Sequence, residues 1–169
     1  MKLRQKLLLP AVLTALVATA GGVTTAVVVQ RTALDSGVAA AQSMDQLAAV
    51  AAARERLGLL HAGVFRTLVL IGSLDETAVA AAREGLPRDI HAISDVIGAL
   101  AQRHPRAAGA AATATQALAD YAKEADQAID LASVDPNTGV AAMQSAEARF
   151  KVAGESMALL VADIRDAEQ

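Results

Sequence analysis

The chain has 169 residues, of which 54% are hydrophobic and 20% are charged, and its formal net charge is −3. It has no cysteine, which excludes disulfides, thiolate metal sites and covalently attached c-type haem. A slightly acidic chain with one tyrosine, two phenylalanines and no tryptophan lacks the basic, base-stacking surface of a nucleic-acid-binding protein. The sequence has no nucleophile motif, phosphate loop or metal-ligand spacing, so we expect neither an enzyme nor a cofactor.

An apolar run near the N-terminus organises the rest of the chain. No charged side chain occurs between Leu7 and Val29. As a helix this run would be about 34 Å long, enough to cross the hydrocarbon core of a bilayer. Lys2, Arg4 and Lys6 precede it, so the positive-inside rule predicts a cytoplasmic N-terminus. We therefore expect one transmembrane helix here.

This anchor divides the chain into three parts. Residues 1–6 are predicted to be cytoplasmic, residues 7–29 to cross a bacterial inner membrane, and residues 31–169 to form one periplasmic domain. The alternative is a cleaved signal peptide, with Ala18-Thr19-Ala20 as the cleavage site and a mature protein that begins near Gly21. The anchor is favoured because the apolar run continues past that cleavage site.

Four amphipathic stretches follow the anchor and predict an all-α fold. Each has apolar residues separated alternately by three and four positions, which is typical of helices packed in a bundle. We place the helices at about 31–73, 76–103, 106–133 and 138–169, with a kink before Pro87. Short turns between them predict an up-down-up-down four-helix bundle whose first helix continues from the membrane helix.

Each predicted helix has a seam of residues that should face the core. The seam residues are Leu47, Val50, Arg54, Leu57, His61, Val64, Leu68 and Ile71 in helix 1; Leu86, Ile90, Ile93, Ile97 and Leu100 in helix 2; Ala111, Ala114, Leu118, Tyr121, Ala125, Ala128 and Ala132 in helix 3; and Met143, Ala146, Phe150, Ala153, Met157, Leu160 and Ile164 in helix 4. Many of them are alanines, so we expect closely approaching helices.

Arg54 and His61 are the polar residues in the seam of helix 1, seven positions apart on one face. A charge buried in a core is costly unless it is paired, so each is expected to be partnered, near solvent or available to a ligand. For Arg54 the alternative to ligand binding is an ion pair with an acid of helix 4 such as Glu155. For His61 the alternative is a place in a dimer interface.

The basic N-terminus, the membrane helix and the predicted bundle together resemble the sensory region of bacterial methyl-accepting chemotaxis proteins of the four-helix-bundle type. Segment 135–144 is similar to the junction of loop and helix common in the sensor domains of that family. Three shorter strings are also similar to it: Arg56-Leu57-Gly58 through His61, Arg66-Thr67-Leu68 and Ser73-Leu74-Asp75-Glu76. The resemblance implies a homodimeric chemotaxis receptor in which a bound small molecule displaces helix 4 slightly and the membrane helices transmit the movement.

The resemblance also implies which residues bind the ligand. In the amino-acid-sensing members, arginines of helix 1 hold the ligand's carboxylates and a threonine at the start of helix 4 contacts its ammonium group. One arginine position corresponds to Arg66, the other falls at about His61, and the threonine position falls near Val140, with Thr138 just before it. With Arg54 from the seam, these residues predict a site for a small ligand, and a guanidinium favours a carboxylate. The alternative for Arg66 is a solvated surface arginine.

Other functions are consistent with the same features. Similar bundles serve as input domains of sensor histidine kinases and diguanylate cyclases, and the sequence after Gln169 would separate these outputs. A cleaved N-terminus would instead give a soluble periplasmic helical bundle with a carrier or stress role. Predicted helix 4 ends about ten residues short of the membrane, so we expect a fragment of a longer receptor with a second membrane helix.

Overall fold

The structure, a computed structural model, describes residues 41–166. Over these residues it is all-helical, with four long helices and no strand, which confirms the all-α fold class. The predicted cytoplasmic segment 1–6 and membrane helix 7–29 lie outside the described residues, and so does the alternative cleavage site.

Short connections join the four helices. In chain order the elements are α1, at 41–70 and continued by a 3-10 turn at Ile71–Ser73; α2, Glu76–Arg103; a 3-10 turn at Pro105–Ala107; α3, Ala108–Val134; and α4, Pro136–Asp166. The contacts described below all lie within one compact unit, Gln46–Gln169.

Capping residues set the start of two helices. Asp75 caps α2, since its carboxylate accepts a hydrogen bond from a backbone N–H of the first turn at 2.7 Å. α4 begins at Pro136, two residues before its approximate predicted start, because Asp135 accepts a hydrogen bond from the backbone N–H of Thr138 and proline is well tolerated in the first turn. α2 continues as a helix through Pro87.

The helices pack around one hydrophobic core. The prediction is confirmed for every seam residue of α2 and α3, all of which are buried, and for every seam residue of α4 except the half-buried Phe150. Spacings of three and four succeed because they place side chains on one face of a helix. Sequence analysis omitted further buried positions, among them Ala107, Ala117, Ile129, Gly139 and Ser156.

The seam of α1 departs from the prediction at Arg54. At this level of α1 the buried face is formed by Val50, Ala53 and Leu57, while Arg54 is exposed. The predicted place of Arg54 in the apolar seam was therefore wrong. Placing the small Ala53 inward fills the core without the cost of burying a charge.

Exposed ion pairs join successive helices. Arg56 of α1 lies 2.6 Å from Asp89 of α2. Arg83 of α2 donates to Asp126 at 2.7 Å and to Asp130 at 2.6 Å, both on α3. These carboxylates raise the pKa of the Arg83 guanidinium, chiefly through the hydrogen bond with Asp126. Because all these groups are partly or largely exposed, each pair adds little to the free energy of unfolding.

α3 and α4 approach each other very closely where they leave their connecting turn. At Gly139 of α4, an added methyl group would lie 2.7 Å from the backbone oxygen of Ala128 and would overlap Ala132. Glycine is required here because the backbone of α3 occupies the space that a side chain would need.

Length and composition alone would allow the described helix Ala41–Ser73 to cross a membrane. Core helices of water-soluble domains pass the same test, and α1 contributes buried residues to the core between Val50 and Ile71. We therefore interpret α1 as a core helix.

Candidate functional site: the His61 junction

All three aromatic side chains of the chain lie around one histidine. The ring of His61 stacks on Phe150, with centroids 4.0 Å apart and planes 11° from parallel. Phe65 meets the same ring edge to face at 5.0 Å, and Tyr121 lies 5.8 Å away at a tilt. With Glu147, described next, these residues are called the His61 junction, which joins α1, α3 and α4.

Both ring nitrogens of His61 have polar partners. Nε2 lies 3.0 Å from Oε2 of Glu147 on α4, and Nδ1 lies 3.3 Å from the hydroxyl oxygen of Tyr121 on α3. The histidine side chain is only 13% exposed, and that of Glu147 is 38% exposed. His61 is thus a largely buried polar residue whose hydrogen bonds reach two other helices.

The chemistry of the partners assigns the protons of neutral His61. An ionised carboxylate only accepts hydrogen bonds, so Nε2 carries the proton and donates to Glu147. Nδ1 then has a free lone pair and accepts from the hydroxyl of Tyr121. In this arrangement every polar atom of His61 and the hydroxyl of Tyr121 is satisfied, as burial demands.

Tyr121 is the most deeply placed member of the junction. Its side chain is fully buried. Burial raises the pKa of its hydroxyl, and the negative charge of Glu147 raises the pKa further. The phenol is therefore held neutral, in the form that can donate to His61.

Charged side chains surround the junction on α3 and α4. Lys151 lies 4.0 Å from the second carboxylate oxygen of Glu147, one turn along α4. Arg149 donates to Oε1 of Glu124 on α3 at 3.1 Å, and this bond is the main cause that raises the pKa of Arg149. The other oxygen of Glu124 is buried and has no hydrogen-bond partner in the described part of the chain.

A cleft of about 340 Å³ opens between α1 and α4 beside the junction. We call it the α1–α4 cleft, and its lining residues are Arg54, Leu57, Phe150, Lys151, Gly154, Glu155 and Ala158. Arg54 and His61 are thereby brought near the same phenyl ring, since Phe150 lines the cleft and stacks on the histidine. The predicted alternative for Arg54, an ion pair with Glu155, is not among the ion pairs of residues 41–166, although both residues line the cleft.

Arg66 and Thr138 lie outside the junction. Arg66 is exposed on α1 and takes part in no ion pair within residues 41–166. Thr138 is exposed in the first turn of α4, where its backbone N–H and its hydroxyl both donate to Asp135. The threonine that was predicted to contact a ligand therefore helps to cap α4. In the described residues, no group of three or more histidines and acids could hold a metal ion.

Comparisons with known proteins add no identification. No family model, curated protein or solved structure matches this chain. Its function must therefore be inferred from its own residues and their geometry.

Sequence analysis found His61 but missed most of its surroundings. Tyr121 and Phe150 were predicted as core residues of their helices, and Glu147 was not singled out. A signal was present, since the chain has only three aromatic residues and two of them fall in helix seams. Bringing them to one level requires the relative register of the helices, which spacing within a single helix does not contain.

Proposed function

We propose that this chain is the periplasmic ligand-sensing region of a homodimeric transmembrane receptor, of the kind found in methyl-accepting chemotaxis proteins. The observation that carries the proposal is the His61 junction. It ties α1, the helix that follows the predicted anchor, to α4, the last helix of the domain. In a receptor that signals by displacing its last helix, a polar contact of this kind is a place where a small change alters how the two helices are held.

The arrangement of α1 and α4 supports an up-down-up-down bundle. His61 of α1 contacts Glu147 of α4. Arg54, two turns earlier in α1, shares the α1–α4 cleft with Glu155, which is two turns later in α4. Contacts that run in opposite directions along two helices indicate antiparallel neighbours. With short turns between consecutive helices, this order favours the bundle proposed for the family it resembles.

The apolar run in the sequence supports a membrane anchor before α1. Basic residues precede the run between Leu7 and Val29, and no charge interrupts it. Movement of α4 relative to α1 would then be a movement relative to the anchor. A ligand produces such a movement only if it binds one arrangement of the helices more tightly than the other.

A small carboxylate is the ligand class that the candidate residues favour. Arg54 and Lys151 place two cationic groups on the α1–α4 cleft, next to the phenyl ring of Phe150 and the open backbone of Gly154. Guanidinium groups bind carboxylates through paired hydrogen bonds. Arg66 and Thr138 remain proposals from the family resemblance, since both are exposed and distinct from the junction.

A thermal-shift screen of the full chain in detergent tests ligand binding. The panel contains amino acids, aliphatic organic acids and aromatic acids, and we expect an acid to raise the melting temperature because it binds only the folded protein. If that acid binds in the α1–α4 cleft, Arg54→Ala should weaken binding at least about tenfold, and if it binds at the position that the resemblance implies, Arg66→Ala should do so, as expected for loss of a charged hydrogen bond. Arg103→Ala, at the exposed end of α2, is the matched control and should leave affinity unchanged.

Each outcome has a definite meaning. A variant that binds the acid as tightly as the natural chain removes its arginine from the site. An equal loss in Arg103→Ala would mean that binding follows overall charge rather than a specific site. A panel in which no acid changes the melting temperature would contradict the proposed ligand class.

A further inference from the structure

The charge of His61 determines which way its hydrogen bonds point. In the neutral ring, Nε2 donates to Glu147 and Nδ1 accepts from Tyr121. When the ring is protonated, both nitrogens donate. The bond to α4 then keeps its direction, whereas the bond to α3 must reverse.

Protonation removes the acceptor of the Tyr121 hydroxyl. Once Nδ1 carries a proton, the tyrosine oxygen can only accept from it, and the hydroxyl hydrogen has to point elsewhere. His61 is the one hydrogen-bond partner of this hydroxyl within residues 41–166, and the side chain is fully buried. Protonation therefore leaves a buried hydroxyl hydrogen without its acceptor, which destabilises this arrangement of α1 and α3.

The same proton strengthens the connection from α1 to α4. The imidazolium would form an ion pair with Glu147 at 3.0 Å, and its charge would lie over the face of Phe150 at 4.0 Å. Lys151, 4.0 Å from the other oxygen of Glu147, offsets part of the carboxylate charge. From α3, the titratable group that meets the ring is Tyr121.

We propose that His61 is a proton switch that reverses its hydrogen bond with α3 and strengthens its contact with α4. Histidine is the side chain that changes charge in the physiological pH range. The inference rests on the proposed receptor function in one respect: it names the proton as a stimulus that acts on the contact between the first and last helices.

The single tyrosine makes the switch directly visible. The chain has one tyrosine and no tryptophan, and the near-ultraviolet absorption of a phenol depends on whether its hydroxyl donates a hydrogen bond. The purified full chain in detergent is titrated from about pH 8 to about pH 5, the range in which histidine changes charge. We expect a single-step change in tyrosine absorption while helix content, followed by circular dichroism, stays constant.

Two histidine variants distinguish the switch from a general effect of acid. His61→Gln keeps a hydrogen-bonding side chain but cannot be protonated, so the step should disappear. His91→Gln is the matched control, since His91 is 80% exposed on α2, and it should keep the step. A step that survives in His61→Gln, or the absence of any step in the natural chain, would overturn the proposal.

A third variant tests the α4 partner and does not depend on His61→Gln folding. Glu147→Gln removes the charge that pairs with the imidazolium, so the midpoint of the step should move to lower pH. Asp166→Asn, at an exposed acid near the end of α4, should leave the midpoint in place. An unchanged midpoint in Glu147→Gln would contradict the switch.

The titration is independent of where the protein resides in the cell. If the protein shows the expected tyrosine step but is not anchored in a membrane, the proton switch at His61 is supported and the receptor function is contradicted. If the protein is anchored in the membrane but shows no tyrosine step, the receptor proposal stands and the proposal that the proton is a stimulus is contradicted. The two proposals therefore fail separately.

Discussion

At the scale of single residues, Tyr121 links burial to pH dependence. Burial, followed by the charge of Glu147, raises the pKa of its hydroxyl. The folded protein therefore favours the neutral phenol more strongly than the unfolded chain does. Its contribution to stability is fully present below the ordinary pKa of tyrosine, about 10. It is lost as the pH rises above that value toward the higher pKa of the folded state.

Replacing Tyr121 by phenylalanine should change the alkaline limb of the stability curve. At neutral pH, Tyr121→Phe should lower the free energy of unfolding by about 1 kcal/mol, because His61 loses a hydrogen-bond donor. Above about pH 10 the natural chain should lose stability while the variant does not, so the two curves should approach or cross. Denaturant melts at a series of pH values measure this difference. Tyrosinate absorption that rises near pH 10 in the still-folded protein would contradict it.

Of the residues around the His61 junction and the α1–α4 cleft, the sequence identified some correctly and others not. His61 was identified as a candidate because burying a polar side chain in an apolar seam is costly unless it has a partner. Arg54 was placed in the same seam wrongly, because an alternation of threes and fours allows a neighbouring position, here Ala53, to face the core instead. Glu147 was missed because its role depends on which turn of α4 lies opposite His61, and no pattern within α4 specifies that.

At the scale of elements, the start of α4 depends on Asp135. Its carboxylate accepts hydrogen bonds from the hydroxyl and backbone N–H of Thr138 and from the backbone N–H of Asn137. These bonds, the Thr138 hydroxyl first, lower the pKa of Asp135. A lowered pKa contributes stability above the ordinary pKa of aspartate, and that contribution is lost as the pH falls through the lowered value.

Two substitutions of Asp135 distinguish the effect of its helix-capping hydrogen bonds from the effect of its charge. Asp135→Ala removes the acceptor and should lower the melting temperature at neutral pH. Asp135→Asn still caps a helix but does not titrate, so it should keep most of the neutral stability and flatten the loss below about pH 4, where aspartate titrates. Thermal melts between neutral and acidic pH measure both effects. Equal melting temperatures for Asp135→Ala and the natural chain would show that another group caps α4.

Because α3 and α4 approach closely at Gly139, alanine substitution there and at Gly98 should change the free energy of unfolding in opposite directions. Gly139→Ala should lower the free energy of unfolding by about 2 kcal/mol, since the new methyl group meets the backbone of α3. Gly98→Ala is the matched control in the middle of α2, where nothing lies within 4 Å of the new methyl group. It should raise stability by up to about 1 kcal/mol through helix propensity. Stabilisation by both substitutions would contradict the packing of α3 against α4.

The elements themselves were largely predictable from sequence. The bounds of α2 and the end of α1 follow from one turn, in which Asp75 caps the following helix, and the seam of α2 is continuous across Pro87. α4 starts at Pro136, two residues before its approximate predicted position. Proline in the first turn of a helix lacks only a hydrogen bond that would not have formed there.

At the scale of the whole molecule, the central claim is that a membrane anchor delivers the helical domain to the periplasm. The basic residues and the apolar run between Leu7 and Val29 predict that orientation from sequence. If the anchor is present, the His61 junction lies between the helix that follows it and the last helix. A signal-sensing role depends on this combination, because a polar contact between two helices has no route to the cytoplasm without the anchor.

Labelling of single cysteines in living cells tests this claim most directly, since the natural chain has none. Gln144→Cys lies on the exposed side of α4, and Gln5→Cys lies in the predicted cytoplasmic segment. We expect a membrane-impermeant maleimide to label Gln144→Cys in intact cells, and Gln5→Cys only after the inner membrane is opened, with both proteins in the membrane fraction. Protection of Gln144→Cys in intact cells, or a mature protein that begins near Gly21 in the soluble fraction, would contradict the anchored sensor.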